Sequence, residues 1–159
     1  MRKQLSKTEI KQLNEDIKKL YGLENFFGKK AKVEYLVNEQ RMLLLDNVPA
    51  FFYYGDILVP ALKFLLKNNF LKKITVDMGA VKFVAEGADI MRPGVIAVDD
   101  GIKKDEFIAI VDQKNQKPLA VGQALFESHE LRAQTSGKVI KNIHHVGDEL
   151  WQFPSNQPS

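Results

Sequence analysis

The stretch DMGAVKFVAEGADIMRPG, residues 77–94, decides the fold of this sequence. Three β-branched residues, 74–76, stand directly before it and are typical of a strand. Asp77 can accept a hydrogen bond from the first turn of a helix that follows. The stretch therefore predicts a short helix between two strands. Helical spacing predicts that its buried face holds Ala80, Phe83 and Val84.

Glycines stand at both ends of this predicted helix. Gly87 lies where a helix end favours a left-handed residue, and Pro93-Gly94 predicts a turn before the apolar run 95–98. We expect free backbone N–H groups at Gly79–Ala80 and around Gly87–Gly94, with Lys82 and Arg92 beside them. Such groups can bind a phosphate or the edge of an unpaired base. The alternative interpretation is that these glycines only turn the corners of a small barrel.

Several pieces of the sequence resemble, in order, the signature of the PUA domain: 79–84, 87–94, 120–124, 137–139 and 147–151. PUA domains are small RNA-binding β-barrels found in pseudouridine synthases and tRNA-guanine transglycosylases. The resemblance implies an RNA groove built from the helix at 79–83, the loop at 87–94 and the last strands. The residues that it assigns to RNA contact are Gly79, Ala80, Lys82, Phe83, Gly87, Ala88, Asp89, Met91, Arg92, Pro93, Gly94 and Lys138.

Composition sets wide limits on function. The chain has 159 residues, a net charge of +3 and no cysteine. Disulfides and cysteine-based zinc sites are therefore excluded, and the mild positive charge permits a polyanionic partner without requiring one. Residues 1–19 contain no continuous apolar stretch of a secretory signal, and no apolar run is long enough to cross a membrane. We expect a soluble, cytoplasmic protein.

The first part of the sequence predicts a small α+β unit. Ser6 and Glu9 have the spacing of a capping box, and the helix that they begin ends at Gly22. Segments 33–37 and 41–45 predict an antiparallel hairpin. Four aromatic residues follow at 51–54, and we expect the two phenylalanines to pack inside, whereas the side on which the tyrosines lie stays open. Segment 58–66 predicts a second helix with Pro60 in its first turn.

The remaining sequence predicts a β-rich unit. Strands are expected at 107–111, 119–126 and 139–146, with a bulge at Gly122. Gly147-Asp148 predicts a hairpin turn into a last strand at 149–153. The chain is therefore expected to divide into an α+β pre-PUA domain at 1–72, a mostly-β PUA pseudo-barrel with short helices at 73–153, and a disordered tail at 154–159.

No catalytic constellation is visible in the sequence. His144 and His145 are adjacent, so that on a strand they point to opposite faces and cannot chelate one metal ion together. We expect these histidines and His129 to lie at the surface or to be partly packed. The sequence has neither a P-loop nor a dinucleotide fingerprint. It predicts a non-enzyme with no catalytic residue, no metal site and no cofactor.

The whole chain resembles the malignant T-cell-amplified sequence family, which includes the matching half of eukaryotic translation initiation factor 2D (ligatin). A capped helix, two strands and the segment 51–66 run straight into the PUA motif, as in that family. The resemblance implies a pre-PUA domain packed on a PUA domain, action on the small ribosomal subunit in reinitiation and recycling, and handling of tRNA. It also implies pairing with the density-regulated protein through the N-terminal domain.

The sequence departs from the eukaryotic members of this family at one motif. Residues 90–94 contain no cysteine, Arg92 adds a cation there, and the loop after Gly94 is shorter. These features are more similar to archaeal members, so the density-regulated partner is in doubt while RNA binding is not.

Three hypotheses for function stay open at this point. The first is an RNA-binding translation accessory factor that takes a tRNA 3′ end or small-subunit ribosomal RNA. The second is a specificity module for an RNA-modifying enzyme. The third is a protein–protein adaptor with a vestigial groove.

Overall fold

The computed structural model describes residues 1–153. The first half of the chain contains β1 (Arg2–Gln4), α1 (Lys7–Tyr21), β2 (Val33–Val37), β3 (Arg41–Leu45), β4 (Val48–Tyr54), β5 (Ile57–Pro60) and α2 (Leu62–Lys67). The second half contains β6 (Lys73–Val76), α3 (Met78–Ala85), β7 (Ile90–Met91), a 3-10 turn (Arg92–Gly94), β8 (Val95–Val98), β9 (Phe107–Asp112), β10 (Pro118–Ala124), α4 (Ser128–Ala133), β11 (Lys138–His145) and α5 (Glu149–Gln152).

Strands β1 to β5 form the first sheet, which is antiparallel and follows chain order. Helix α1 begins with the predicted capping box, because Ser6 Oγ accepts a hydrogen bond from the Glu9 amide at 3.1 Å and Glu9 Oε1 accepts one from the Ser6 amide at 3.0 Å. It ends at Gly22, whose φ of +73° is left-handed. The capping prediction and the hairpin of β2 and β3 are confirmed.

One expectation for the first half is wrong, and one strand was not predicted. The segment before α2 is not helical: β5 runs to Pro60 and pairs with β4, and the helix begins only at Leu62. The proline is tolerated because β5 is an edge strand, where a missing N–H leaves no neighbour unpaired. The second miss is β1, which the sequence did not predict and which pairs with β2 at the opposite edge.

Strands β6 to β11 form the second sheet, in the order β7-β11-β10-β9-β6-β8. The pairing of β6 with β9 is parallel and the other pairs are antiparallel. The predicted α+β region followed by a mostly-β PUA region is confirmed, with open sheets rather than closed barrels. The predicted bulge at Gly122 is confirmed by a register shift there, and a Cβ on this glycine would lie 2.5 Å from Ile140 Cγ2. The predicted last strand is wrong, because residues 149–152 form α5.

Two neighbouring phenylalanines on β4 lie on opposite faces of the first sheet and pack in different cores. Phe51 packs with α1 residues Leu13 and Ile17, whereas Phe52 packs against the second sheet. Both phenylalanines are fully buried, as the sequence predicts. The core shared by the two sheets includes Met42, Leu44, Phe52, Val59, Leu62, Leu65, Phe107, Ala109, Val111, Val121, Leu150 and Phe153. The domain division at 72–73 stays a prediction, and the expected disordered tail lies outside the described residues.

A buried histidine bonds across this shared core. His144 Nε2 accepts a hydrogen bond from the Leu62 amide at 3.1 Å, which leaves the proton on Nδ1, 2.8 Å from Asp148 Oδ2. His145 lies on the other face of β11, against Gly87, where a Cβ would be 2.9 Å from its Nε2. The expectation of surface histidines is therefore wrong for His144, because this ring completes the hydrogen bonds of α2 and of the α5 cap.

Candidate nucleic-acid interface

Helix α3 is fixed at its start by the cap and by the 3-10 turn. Asp77 Oδ1 accepts a hydrogen bond from the Ala80 amide at 2.8 Å, and the Asp77 amide donates to Gly94 O at 3.0 Å. The turn approaches the helix closely, since a Cβ on Gly94 would lie 3.2 Å from Ala80 Cβ. A side chain at position 94 would therefore crowd the contact between the turn and α3.

The backbone amides expected to be free are largely bonded within the protein. Besides the Ala80 amide, the Gly87 amide donates to Val84 O and the Ala88 amide to Phe83 O, each at 3.0 Å. The Arg92 amide donates to Gly137 O at 2.8 Å. The prediction of free amides is therefore wrong at these four positions.

Arg92 holds its guanidinium against main-chain oxygens. Its Nε and Nη1 donate to Leu131 O and Val95 O, each at 3.0 Å, and its Nη2 donates to Arg132 O at 3.4 Å. These bonds connect the 3-10 turn to the C-terminal end of α4. Its position makes Arg92 a structural clamp, and its direct contact with RNA stays a prediction.

The loop between α3 and β7 is fixed by one side chain that sequence reasoning missed. Asn142 Nδ2 donates to Val84 O at 3.1 Å and to Ala88 O at 3.0 Å, and the Asn142 amide donates to Asp89 Oδ1 at 2.9 Å. Asp89 also faces Lys138 Nζ at 3.4 Å. No local signal marks Asn142, because it lies on β11, more than fifty residues along the chain from the loop.

The expectation that Phe83 is buried is wrong, since 60% of its surface is exposed. Ala80, Val81 and Val84 pack against the core of the second sheet. At 3.6 residues per turn, the middle of the face formed by these three residues lies about 100° around the helix axis from Phe83. The helix therefore presents an unpartnered aromatic ring next to Lys82, which is exposed and has no ion pair within residues 1–153.

A second exposed apolar residue, Met91, lies on β7 directly opposite Lys138 on β11. The twelve predicted contact residues all lie on α3, on segment 86–94 or at the start of β11. Eight are exposed: Gly79, Lys82, Phe83, Ala88, Asp89, Met91, Pro93 and Lys138. The four partly exposed ones are Ala80, Gly87, Arg92 and Gly94.

Within residues 1–153, no three histidine, cysteine, aspartate or glutamate side chains lie close enough to hold a metal ion. Across those same residues, every helix is too short or too polar to span a membrane.

The fold and this surface define a two-part protein with a PUA domain at its C-terminal side. A family model described as the PUA domain matches residues 72–146, and a domain of unknown function, DUF1947, matches residues 1–68. An uncharacterized protein of Methanocaldococcus jannaschii is 36% identical, over 94% of each chain. Translation machinery-associated protein 20 of Saccharomyces cerevisiae is 31% identical, over 82% of this chain and 77% of its own length. The chain belongs to the family of translation machinery-associated protein 20 and malignant T-cell-amplified sequence proteins, which confirms the resemblance seen in the sequence.

A solved structure shows the same arrangement of elements. The crystal structure of a hypothetical protein from Pyrococcus horikoshii OT3 matches with a TM-score of 0.82 and 28% identity. The match covers 96% of this chain and 98% of that one. Both halves of the fold are thus shared with that protein.

Proposed function

We propose that this protein is an RNA-binding translation accessory factor whose PUA domain holds a single-stranded RNA segment at α3. The observation that carries the proposal is the exposed pair of Phe83 and Lys82 on a helix fixed at both ends. An exposed aromatic ring offers a stacking platform for a base of any identity, and a neighbouring ammonium can contact the adjoining phosphate. Because Asp77 and Asn142 hold the helix, little ordering is needed on binding.

The named relatives support a biological target in the translation machinery. We assign the RNA to a tRNA 3′ end or to small-subunit ribosomal RNA, since the yeast relative carries the name translation machinery-associated protein 20. Met91, Pro93 and Lys138 would line the RNA-binding surface beside α3, and Gly79, which has no side chain, would allow close approach of the RNA backbone. Association with the small ribosomal subunit, a density-regulated-protein-like partner, a cytoplasmic location and the lack of catalytic activity are parts of this proposal.

Reversal of the charge at Lys82 tests the proposal. Lys82→Glu should weaken binding of tRNA about tenfold at low salt, because about 1 kcal/mol of attraction at 4 Å in water becomes repulsion and is then partly screened. Lys19→Glu is the matched control, since Lys19 is exposed on α1, which packs on the face of the first sheet that points away from the second sheet. Fluorescence anisotropy of labelled tRNA gives both affinities. Equal affinities for the two variants would favour a protein–protein adaptor instead.

A further inference from the structure

A second surface of interest lies on the first half of the chain, between α1 and the loop at 24–29. It is a groove of about 800 Å³. Ile10 and Phe27 form its apolar part, and Lys7, Lys11, Lys18 and Lys29 line it as well. Nothing in the proposed function uses this groove.

The groove is built before any ligand arrives. Asn14 Nδ2 donates to Phe27 O and the Phe27 amide donates to Asn14 Oδ1, both at 2.9 Å. Phe27 is 3% exposed and packs edge-on against Phe26. These contacts hold the loop against α1, so that a ligand meets a preformed wall and binding costs less conformational entropy.

The charges along the groove are mostly positive and mostly unneutralised. Four lysines line it against two glutamates, Glu15 and Glu24. Lys18 pairs with Glu24 at 3.1 Å. Among residues 1–153, Lys7, Lys11 and Lys29 have no ion-pair partner, and all three are exposed. Lys7 and Lys11 are four residues apart on α1, about 6 Å along the axis, so they follow one another on one face of the helix.

We infer that this groove binds the sugar–phosphate backbone of RNA. The unpaired ammonium groups of these lysines match the successive phosphates of an RNA strand. Lys18 adds less to this attraction, because the Glu24 carboxylate already pairs with it. Such contacts position RNA without reading its sequence. The inference goes beyond the proposed function, because it adds a second RNA-binding surface, which does not recognise the RNA 3′ end.

The fold separates this groove from the PUA surface. Helix α1 covers the Phe51 face of the first sheet, and the second sheet covers the Phe52 face. The first sheet therefore lies between the groove and the PUA domain. A protein with both surfaces contacts RNA from two sides, which suits a position between two RNA segments of one assembly.

The test uses the full chain and a triple variant, Lys7→Gln with Lys11→Gln and Lys29→Gln. Affinity for tRNA should fall, and the slope of log affinity against log salt should decrease by about 2, since each lost phosphate contact removes about 0.7 to 0.9. The loss should be equal for tRNA with and without its 3′ CCA end. The matched control carries the same three charge changes at exposed positions of the second half, Lys104, Lys114 and Lys117. Thermal unfolding checks that both triples are folded.

The outcomes separate the two proposals. If the salt slope of the triple variant decreases no more than that of the control, the groove proposal is overturned. Binding of polyglutamate, but not of RNA, at the groove would also overturn it and would assign the groove to an acidic protein segment. A decreased slope without any preference for the intact 3′ end supports the groove and contradicts the PUA assignment. No binding of RNA by the wild-type chain at low salt overturns both.

Discussion

Truncation of Phe83 to alanine should damage RNA binding and leave folding nearly intact. Stacking of one base on an aromatic side chain contributes about 1–3 kcal/mol by alanine substitution, which corresponds to about a 5- to 150-fold loss of affinity. The cost to stability is small because 60% of the residue's surface is already exposed to water. Full burial of phenylalanine contributes up to about 3 kcal/mol, so the buried remainder accounts for about 1 kcal/mol, and the higher helix propensity of alanine offsets part of that.

Anisotropy of a labelled single-stranded RNA measures the loss in affinity, and urea denaturation measures the free energy of unfolding. Phe83→Tyr keeps the ring and should bind like the wild type, whereas Phe83→Leu keeps apolar volume without the ring and should resemble Phe83→Ala. Ile57→Ala is the matched control, since Ile57 is an exposed apolar residue on β5 of the first sheet. Binding of Phe83→Ala within twofold of the wild type would refute the stacking platform. A loss of more than about 3 kcal/mol in stability would refute the exposed position of the ring.

Three further substitutions test how the site and its support are held. Arg92→Gln should destabilise the fold by about 2 kcal/mol, measured by urea denaturation, because a charged donor to the Leu131 and Val95 carbonyls is lost; unchanged stability would contradict the clamp and return Arg92 to the candidate phosphate contacts. Asp148→Ala should cost about 2 kcal/mol or more, since it removes the α5 cap and leaves the buried His144 Nδ1–H without a partner. Burial acts to raise the pKa of the Asp148 carboxyl, but bonds from His144 and the Trp151 and His145 amides outweigh it and lower that pKa below its ordinary 3.8. The contribution of the Asp148 carboxylate to stability is therefore present above pH 3.8 and is lost as pH falls through its lower folded pKa. Acid titration should consequently show a shallower loss of stability for Asp148→Ala than for the wild type. Equal dependence of stability on pH for the two proteins would contradict this role of Asp148. Gly122→Ala should cost about 1–3 kcal/mol by overpacking, because its Cβ would lie 2.5 Å from Ile140 Cγ2 and 3.1 Å from Lys141 O; a thermal midpoint equal to that of the wild type would contradict the close approach.

Local signals in the sequence predicted the elements that depend on local bonds. The capping box at Ser6 and the left-handed end at Gly22 each involve residues within a few positions, and both are confirmed. Strand β1 was missed because its three residues have no pattern of their own and depend on pairing with residues 34–36. The segment ending at Pro60 has apolar spacing that suits a helix or a strand, and pairing with β4 decides between them.

The contrast between local and long-range contacts also explains which features of the candidate site could be predicted from the sequence. The helix cap predicted at Asp77 is confirmed, but the sequence could not show that distant residues occupy the polar groups around it. The Arg92 amide bonds to Gly137 and its side chain to Leu131, each about forty residues away. Phe83 was misplaced because Val81 also packs inward and turns the buried face of α3. Long-range contacts of this kind leave no periodic trace in a single sequence.

We propose that the PUA surface at α3 holds a single-stranded RNA segment, and a tRNA 3′ end is the segment that can be tested most directly. The most direct measurement is a titration of the wild-type chain with intact tRNA and with tRNA lacking its 3′ CCA end, at two salt concentrations. We expect tighter binding of the intact tRNA at both salts, with both affinities falling as salt rises because phosphate contacts release counterions. Equal affinities for the two tRNAs would contradict the claim and reduce the interaction to a general attraction between RNA and a basic surface.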